Sequence, residues 1–411
     1  MGRWGKNDFF AGFNPDNLKP YFTKLFLKLV METPIETAEA SFDIIESISR
    51  HIEQLKPLTP IRGLVSIGDY PAKILIQKDL EKKIGGIQLI FINKSDKENV
   101  NADQSSATPH DILDIDLHVD THFWFDIASY LAKDDGYSAR LKNRIEGLQE
   151  NIIFASLWEG LGSALLPALI SQFKASNVNS VALGVLPSKA QPSDAHFNAF
   201  ASIGMCASND AAALVLLDRD CVEEYVGVDR DGSLLKGNAI INYLLEMMLT
   251  KESFTQEFSE LSRSFDIKLY TMLSVTGASL KIYGSFKNIL NAASLNPFLT
   301  LELSSSSVLY VLVRLPLSLK EKLTKGKIEL ATAKWSKNWA NIKSIYVSEP
   351  IYEDDASDRV DVVLFVGNFD LAELTAFFLK KSAKVKNEMV KKGLVKEEDW
   401  EAIVNSFPAN Q

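Results

Sequence analysis

The stretch Ile152–Pro187 constrains the fold more than any other part of this chain. Ile152 to Ala155 is a continuous apolar run, the pattern of a parallel strand buried on both faces. It passes through Trp158–Glu159–Gly160–Leu161–Gly162–Ser163 into a helix expected over Ala164–Ser176. A second apolar run, Val181–Leu186, stops at Pro187. Strand, helix and strand in this order form one right-handed crossover unit of a parallel sheet. The turn at its centre lies where such sheets hold phosphates, on the amides of a helix N-terminus.

The same alternation continues on both sides. Ile61–Ile67, Ile87–Ile92 and Ala211–Leu217 read as strands. Between them come a turn at Gly68–Pro71, a helix over Ala72–Ile84, a polar loop over 97–111, and helical segments from Ala128 to Gln149 broken near Asp134–Gly136. This pattern predicts an α/β fold with a doubly wound parallel sheet. Leu234–Thr250 reads as a long apolar central helix, followed by a polar linker carrying Ser259 and Ser262. Beyond it, the β-branched and aromatic segments 267–285, Val308–Val313, Ile342–Val347 and Val360–Val366, with short helices at 286–295 and 318–323, predict a smaller α+β C-terminal domain. At the N-terminal end a loose aromatic tail, 1–15, precedes a short helix at 17–31. Thr33–Pro34–Ile35–Glu36 then opens a helix with an apolar stripe from Ile35 to Leu55, ended by Pro57 and Pro60. Residues 370–392 read as a helix with Leu371, Leu374, Phe377 and Phe378 on one face and solvated lysines on the other. The expected organisation is a helical extension (1–57), a nucleotide-binding-like domain (58–230), a central helix and linker (231–262), a C-terminal domain (263–368) and a helical tail (369–411).

Several function classes are disfavoured. A formal net charge of −9 offers no clustered basic track for nucleic acid. The start of the chain is unlike a signal peptide, and no apolar run approaches the ~20 residues that span a bilayer, so a cytoplasmic protein without a transmembrane segment is expected. Cys206 and Cys221 form no CxxC pair and read as buried thiols. As a strand, the run from Asp114 to His122 puts Asp114, Asp116, His118, Asp120 and His122 on one face, which is ligand chemistry for zinc or manganese. A half-exposed edge strand shows the same alternation, and no glutamate base or third histidine adjoins it, so no metal is assigned. Ser163 lacks the G-x-S-x-G frame of a nucleophile elbow, and His196 reads as a loop residue. Neither G-x-x-x-x-G-K-[ST] nor a G-x-G-x-x-G with its acidic partner is present.

Over roughly residues 60–368 the chain resembles the FtsZ/CetZ/tubulin superfamily. The family signature is a turn of the type GGGTGTG or GGGTGSG, followed in FtsZ-like members by A-A-P. Gly160, Gly162, Ser163 and Pro167 match it, while Trp158, Glu159, Leu161 and Ala164 do not. Phe91–Ile92–Asn93 with Ser95–Asp96 is similar to the family's I-N-T-D strand end, and Leu216–Leu217–Asp218–Arg219 to its I-P-N-D-R. Asn238 falls where the family reads the guanine edge. Thr271–Ser274 with Gly277–Ala278, and Leu295–Leu299, resemble the start of the C-terminal domain and its S-N-P-L-L.

The resemblance implies a GTP or GDP site formed by Gly68, Asn93, Gly160, Gly162, Ser163, Asp218 and Asn238, and head-to-tail assembly with itself or with other family subunits. It also implies a loop after the central helix whose acidic residues orient the attacking water on a neighbour's nucleotide. Register places Phe265 and Lys268 at those acidic positions in the segment Arg263–Lys268, leaving Asp266 as the candidate catalytic carboxylate. Pro71 removes an amide from the first phosphate loop, and Glu159 brings a carboxylate to where phosphate charge would lie. The expected function is a structural or regulatory cytoskeletal or cell-division protein with weak or absent GTP hydrolysis. The alternatives are an active filament-forming GTPase and an unrelated nucleotide- or cofactor-dependent enzyme.

Overall fold

The apolar runs assemble into one sheet because each is buried on both faces and must be covered twice. In the computed structural model, which describes residues 61–76, 84–94, 111–115, 122–208, 213–300, 305–339, 341–355 and 357–407, six strands run in parallel. They are β1 (Arg62–Ile67), β2 (Ile87–Lys94), β3 (Asp111–Ile115), β4 (Glu150–Ser156), β5 (Asn179–Leu186) and β6 (Ala213–Asp218), in the spatial order β3-β2-β1-β4-β5-β6. The order reverses between β1 and β4, and open α/β sheets bind ligands beyond the carboxyl ends at such a switch point. The helices expected at 17–31 and from Thr33 to Leu55 lie outside the described residues, as do Asp116, His118 and Asp120.

Helices cover both faces. On one lie α1 (Asp69–Ile76), α7 (Asn238–Thr250) and α8 (Phe254–Ser264), whose apolar residues pack with Leu64, Ile152, Phe154, Leu183 and Val215. On the other lie α2 (Trp124–Leu131), α3 (Asp135–Ile145), α4 (Gly160–Ala175) and α5 (Ser193–Ser208), packed with the alternate residues Val65, Ile153, Ala155, Ala182 and Leu214. The short α6 (Arg219–Glu224) and the hairpin β7 (Val226–Val228) with β8 (Leu234–Lys236) join β6 to α7.

The C-terminal half extends the same sheet. β9 (Leu269–Ser279) pairs in parallel with β6 and antiparallel with β13 (Arg359–Gly367). β13 pairs antiparallel with β10 (Val308–Pro316), which pairs in parallel with β11 (Ser344–Val347) and β12 (Ile351–Glu353). α9 (Leu280–Tyr283), α10 (Phe286–Ser294) and α11 (Lys325–Ser336) belong to this half, and Ile289, Leu290, Ile328 and Trp335 build its own core with Leu273, Val311 and Leu364. This is the smaller α+β unit expected from sequence. α12 (Ala372–Lys391) and α13 (Glu397–Asn405) return to cover α5, where Trp400 stacks on Phe197 at 4.9 Å and Phe407 on Phe200 at 4.4 Å. Lys380, Lys384 and Lys391 are exposed, the solvated face expected of that helix.

Several expectations need correction. The segment 158–163 is not all turn, because α4 starts at Gly160 rather than Ala164. Likewise α1 starts at Asp69, with Pro71 in its first turn, where a missing amide costs no helical bond. The polar linker after the central helix is helix α8: its serines and glutamates mask Phe254, Phe258 and Leu261, which recur at spacings of four and three and are all buried. Residues 234–236 are strand, α11 had no sequence expectation, and His196, read as a loop residue, is buried within α5.

A buried polar network ties α7 to the C-terminal strands. Asp361 on β13 is fully buried; its carboxylate accepts from the Gly277 amide at 2.7 Å, the Tyr243 hydroxyl at 2.9 Å and Arg314 Nε at 2.9 Å. The Arg314 guanidinium lies 4.5 Å from the Tyr243 ring centroid and 3.3 Å from a Glu353 oxygen. Gly277 makes this possible, since it sits at a register shift in β9 with φ +56°, a left-handed conformation that glycine adopts at little cost.

Candidate functional site

The helix α7 spans the sheet from one end to the other. Its 13 residues cover about 20 Å at ~1.5 Å per residue. At its start Asn238 Oδ1 accepts from the Tyr70 hydroxyl at 2.7 Å, beyond the carboxyl end of β1. At its finish the Leu249 carbonyl accepts from Arg62 Nη1 at 2.7 Å, at the amino end of β1. Two surfaces therefore face opposite ways along the strands, and the candidate residues divide between them.

The carboxyl-end surface gathers Gly68, Asn93, the 158–163 segment, Asp218 and Asn238, as the switch-point geometry requires. Most of their polar groups are already engaged within the chain. Glu159 Oε2 accepts from the Asp69 amide at the N-terminus of α1, at 3.1 Å. Burial raises the Glu159 pKa above the usual carboxylate value; hydrogen bonds from Ser156 and from the Asp69 and Tyr70 amides oppose the rise, and the Asp69 charge adds to it. Gly68 has φ +95°, and a Cβ there would stand 2.1 Å from Glu159 Oε2. With its amide oriented to donate, Asn93 reaches the Gly68 and Ile92 carbonyls at 3.3 and 3.0 Å.

Gly160, Gly162 and Ser163 are buried in the first turn of α4. A Cβ on Gly162 would lie 2.0 Å from the Ser156 carbonyl oxygen, so this glycine lets α4 pack on the end of its own strand. The Ser163 hydroxyl donates to the Leu157 carbonyl at 2.7 Å. Asn198, which no sequence signal marked, donates to the His122 and Trp158 carbonyls at 2.7 and 3.2 Å and accepts from the Trp124 amide at 3.1 Å, fixing this segment from behind. Asp218 is buried and caps α6 by accepting from the Asp220 amide at 2.9 Å; burial is the main cause of its raised pKa.

Beside these groups lies an aromatic and cationic cluster. Tyr70 and Trp158 meet edge to face at 4.8 Å, and the Arg219 guanidinium stands 5.6 Å from the first ring and 5.3 Å from the second. Arg219 also pairs with Glu223 at 2.7 Å. Desolvation pushes the Tyr70 hydroxyl up to about 12, so it remains a neutral donor to Asn238.

The amino-end surface is built from residues 249–268. Thr255 donates to Glu150 Oε2 at 2.8 Å, and the Lys268 carbonyl accepts from the Leu214 amide at 2.8 Å, so this segment borders the starts of β4 and β6. Glu252 and Asp266 are exposed there, and Asp266 adopts φ +50° beside Phe265, which is 45% exposed. Among the described residues no group of three or more His, Cys, Asp or Glu is placed to hold a metal ion.

Among solved structures, CetZ from Methanosaeta thermophila superposes with a TM-score of 0.61 at 14% identity, covering 84% of this chain and 96% of that one. CetZ2 from Haloferax volcanii, a GTPγS-bound protofilament, gives 0.59 at 16% identity over 80% and 98%. An empty FtsZ dimer from M. jannaschii gives 0.56 at 15% identity over 82% and 94%. The chain has the FtsZ/tubulin fold. No family model matches the sequence, and no curated protein does. In this FtsZ/tubulin fold the loop directly after the central helix is Lys251–Glu252–Ser253. Asp266 lies one helix further on, after α8. The sequence reads the segment after the central helix as a polar linker, whereas helix α8 stands there and separates Asp266 from α7. No described helix is long and apolar enough to cross a membrane.

Proposed function

We propose that this chain is a filament-forming or filament-regulating cytoskeletal or cell-division subunit of the tubulin superfamily, cytoplasmic, in which GTP binding and hydrolysis are weak or absent. The single observation that carries this reading is the Glu159 carboxylate held at the amide end of α1. A triphosphate placed at the switch point meets that carboxylate. At ~5 Å and an effective dielectric of ~20, each like-charge pair costs on the order of 3 kcal/mol. The remaining groups are spent as well: Ser163 on Leu157, and Asn238 on Tyr70. These residues do not fit a guanosine triphosphate, and no hydrolytic step is assigned to them.

A second reading, an active GTPase, is favoured by Glu252, an exposed carboxylate in the loop after the central helix. Co-sedimentation with and without GTP, together with a phosphate-release assay, separates the two. The proposal expects assembly unaffected by GTP and no steady phosphate release. GTP-dependent pelleting with steady turnover would establish the second reading instead.

A further inference from the structure

Positive charge is concentrated in one element. Residues 376–396 carry seven lysines and one glutamate, in a chain whose formal net charge is −9. They belong to α12 and the turn after it. The packing of that helix fixes where its lysines point. Phe378, Ser382 and Met389, at spacings of four and seven, are buried, and Phe378 meets Phe200 of α5 at 6.1 Å. Lys380, Lys384 and Lys391 repeat the same spacings two residues further on, and all three are exposed. At ~100° per residue each lysine stands about 200° from its buried counterpart, so the three form a line about 16 Å long on the outward side.

Folding does not account for this stripe. The other lysines of the helix have work within the chain: Lys381 donates to the Lys189 carbonyl at 3.0 Å, Lys386 pairs with Glu397, and Lys392 pairs with Glu388 at 2.6 Å. Among the described residues Lys380, Lys384, Lys391 and Lys396 make no ion pair. The helix dipole favours a lysine in the last turn, which covers Lys391 alone. Lys380 and Lys384 stand four apart with like charge, a spacing that destabilises a helix. Leu394, 51% exposed, lies in the turn between Lys392 and Lys396 and adds an aliphatic side chain to the basic patch. A peptide is held by a groove or a sheet edge, and a DNA-binding protein typically makes about 6–10 phosphate contacts. One convex helix with three lysines in line supplies neither. A bilayer with anionic headgroups requires only an outward basic stripe lying along its plane and an apolar side chain to enter the headgroup layer.

We propose that the Lys380–Lys384–Lys391 stripe of α12, with Leu394 and Lys396 beyond it, is a docking surface for an anionic lipid bilayer. Contact there needs neither nucleotide nor assembly, so it goes beyond the function proposed above and does not depend on it. Each lysine close to an anionic bilayer is worth about a fivefold gain in partition, and the attraction is screened by salt. Burial of Phe378 and Met389 against the α5 side holds the stripe in place before any bilayer arrives.

Flotation of the full chain with lipid vesicles tests this, because assemblies sediment whereas bilayer-bound chains rise. Phosphatidylcholine vesicles containing about one third phosphatidylglycerol should carry the wild-type chain upward at low salt and release it at ~0.5 M salt, where the Debye length is ~4 Å. Vesicles of phosphatidylcholine alone should carry none. Lys380→Gln, Lys384→Gln and Lys391→Gln together should lower the partition about 100-fold. The same three-charge change at Lys322, Lys334 and Lys337, exposed on the C-terminal unit, should leave it within about twofold. Both triple variants should melt within about 2 °C of the parent, as surface changes usually do. If the stripe variant fails to fold, Leu394→Ser, which keeps every charge, should lower the partition at least ~3-fold. Equal flotation on neutral vesicles, no flotation on anionic ones, or a control variant that loses as much as the stripe variant overturns the proposal. Retention of duplex DNA through these lysines without flotation assigns the stripe to nucleic acid and overturns it equally. None of these outcomes touches the assembly reading, which the pelleting and phosphate-release assays decide.

Discussion

Asp361→Asn probes the joint between the central helix and the C-terminal strands. The carboxylate is fully buried and receives three donors: the Gly277 amide, the Tyr243 hydroxyl and Arg314 Nε. Asparagine keeps the shape but turns an NH2 toward one set of donors and removes the charge facing a buried guanidinium. Breaking a buried pair of this kind costs about 3–5 kcal/mol. Arg314 retains Glu353 at 3.3 Å and Glu246 at 3.6 Å, which places the expected loss near the lower limit. For a folded unit of roughly 350 residues, an unfolding entropy of ~2.1 cal/mol/K per residue converts about 3 kcal/mol into a fall of about 4 °C in Tm. Differential scanning calorimetry reads it directly. Tyr243→Phe alone should cost about 1.5 kcal/mol, as loss of a hydrogen bond to a charged acceptor, and clearly less when Asp361 is already asparagine. A fall below ~1 °C for Asp361→Asn, or full additivity of the two changes, would refute the view that α7 is locked to β10 and β13 through this carboxylate.

Three further outcomes follow from the same coordinates. Gly162→Ala, whose Cβ would stand 2.0 Å from the Ser156 carbonyl, should cost at least ~3 kcal/mol in urea unfolding; a tolerated alanine would mean that α4 does not pack this closely on β4. Glu159→Gln should stabilise the chain at neutral pH. Burial raises the native pKa of Glu159 above its usual 4.5, so the native state holds this proton more tightly than the unfolded chain. Its contribution is fully present below the unfolded value and is lost as pH rises through the native one. The advantage of glutamine should therefore be near zero at acid pH and grow upward from about pH 4.5; an advantage that shrinks with rising pH would contradict the burial argument. Trp400→Ala removes the ring stacked on Phe197 at 4.9 Å and should cost about 3–5 kcal/mol, opening α12 and α13 to limited proteolysis.

Much of the architecture was legible because two-sided burial writes itself into sequence as unbroken apolar runs. The strands read at 61–67, 87–92, 152–155, 181–186 and 211–217 all appear, displaced by a few residues at most. Less legible were elements whose hydrophobic face is narrow. α8 hides Phe254, Phe258 and Leu261 among serines and glutamates, and α11 buries only Ile328, Thr332, Trp335 and Ser336. At the candidate site, the placement of Glu159 between β4 and α4 was legible, since that depends on local spacing. Which amide receives it was not legible, because Asp69 lies 90 residues away. Ser163 looked like a free donor only while the helix was expected to begin at Ala164. Starting at Gly160 instead turns its hydroxyl to the Leu157 carbonyl.

Isothermal titration of the wild-type chain with GTP tests the central claim most directly. With Glu159 on the α1 amides and Asn238 bonded to Tyr70, no saturable heat is expected up to about 1 mM GTP, which corresponds to less than ~4 kcal/mol of binding. Trp158→Gly with Glu159→Gly should raise the affinity. A micromolar dissociation constant for the unmodified chain would contradict the account, because it would require Glu159 to yield its place to the nucleotide at almost no cost.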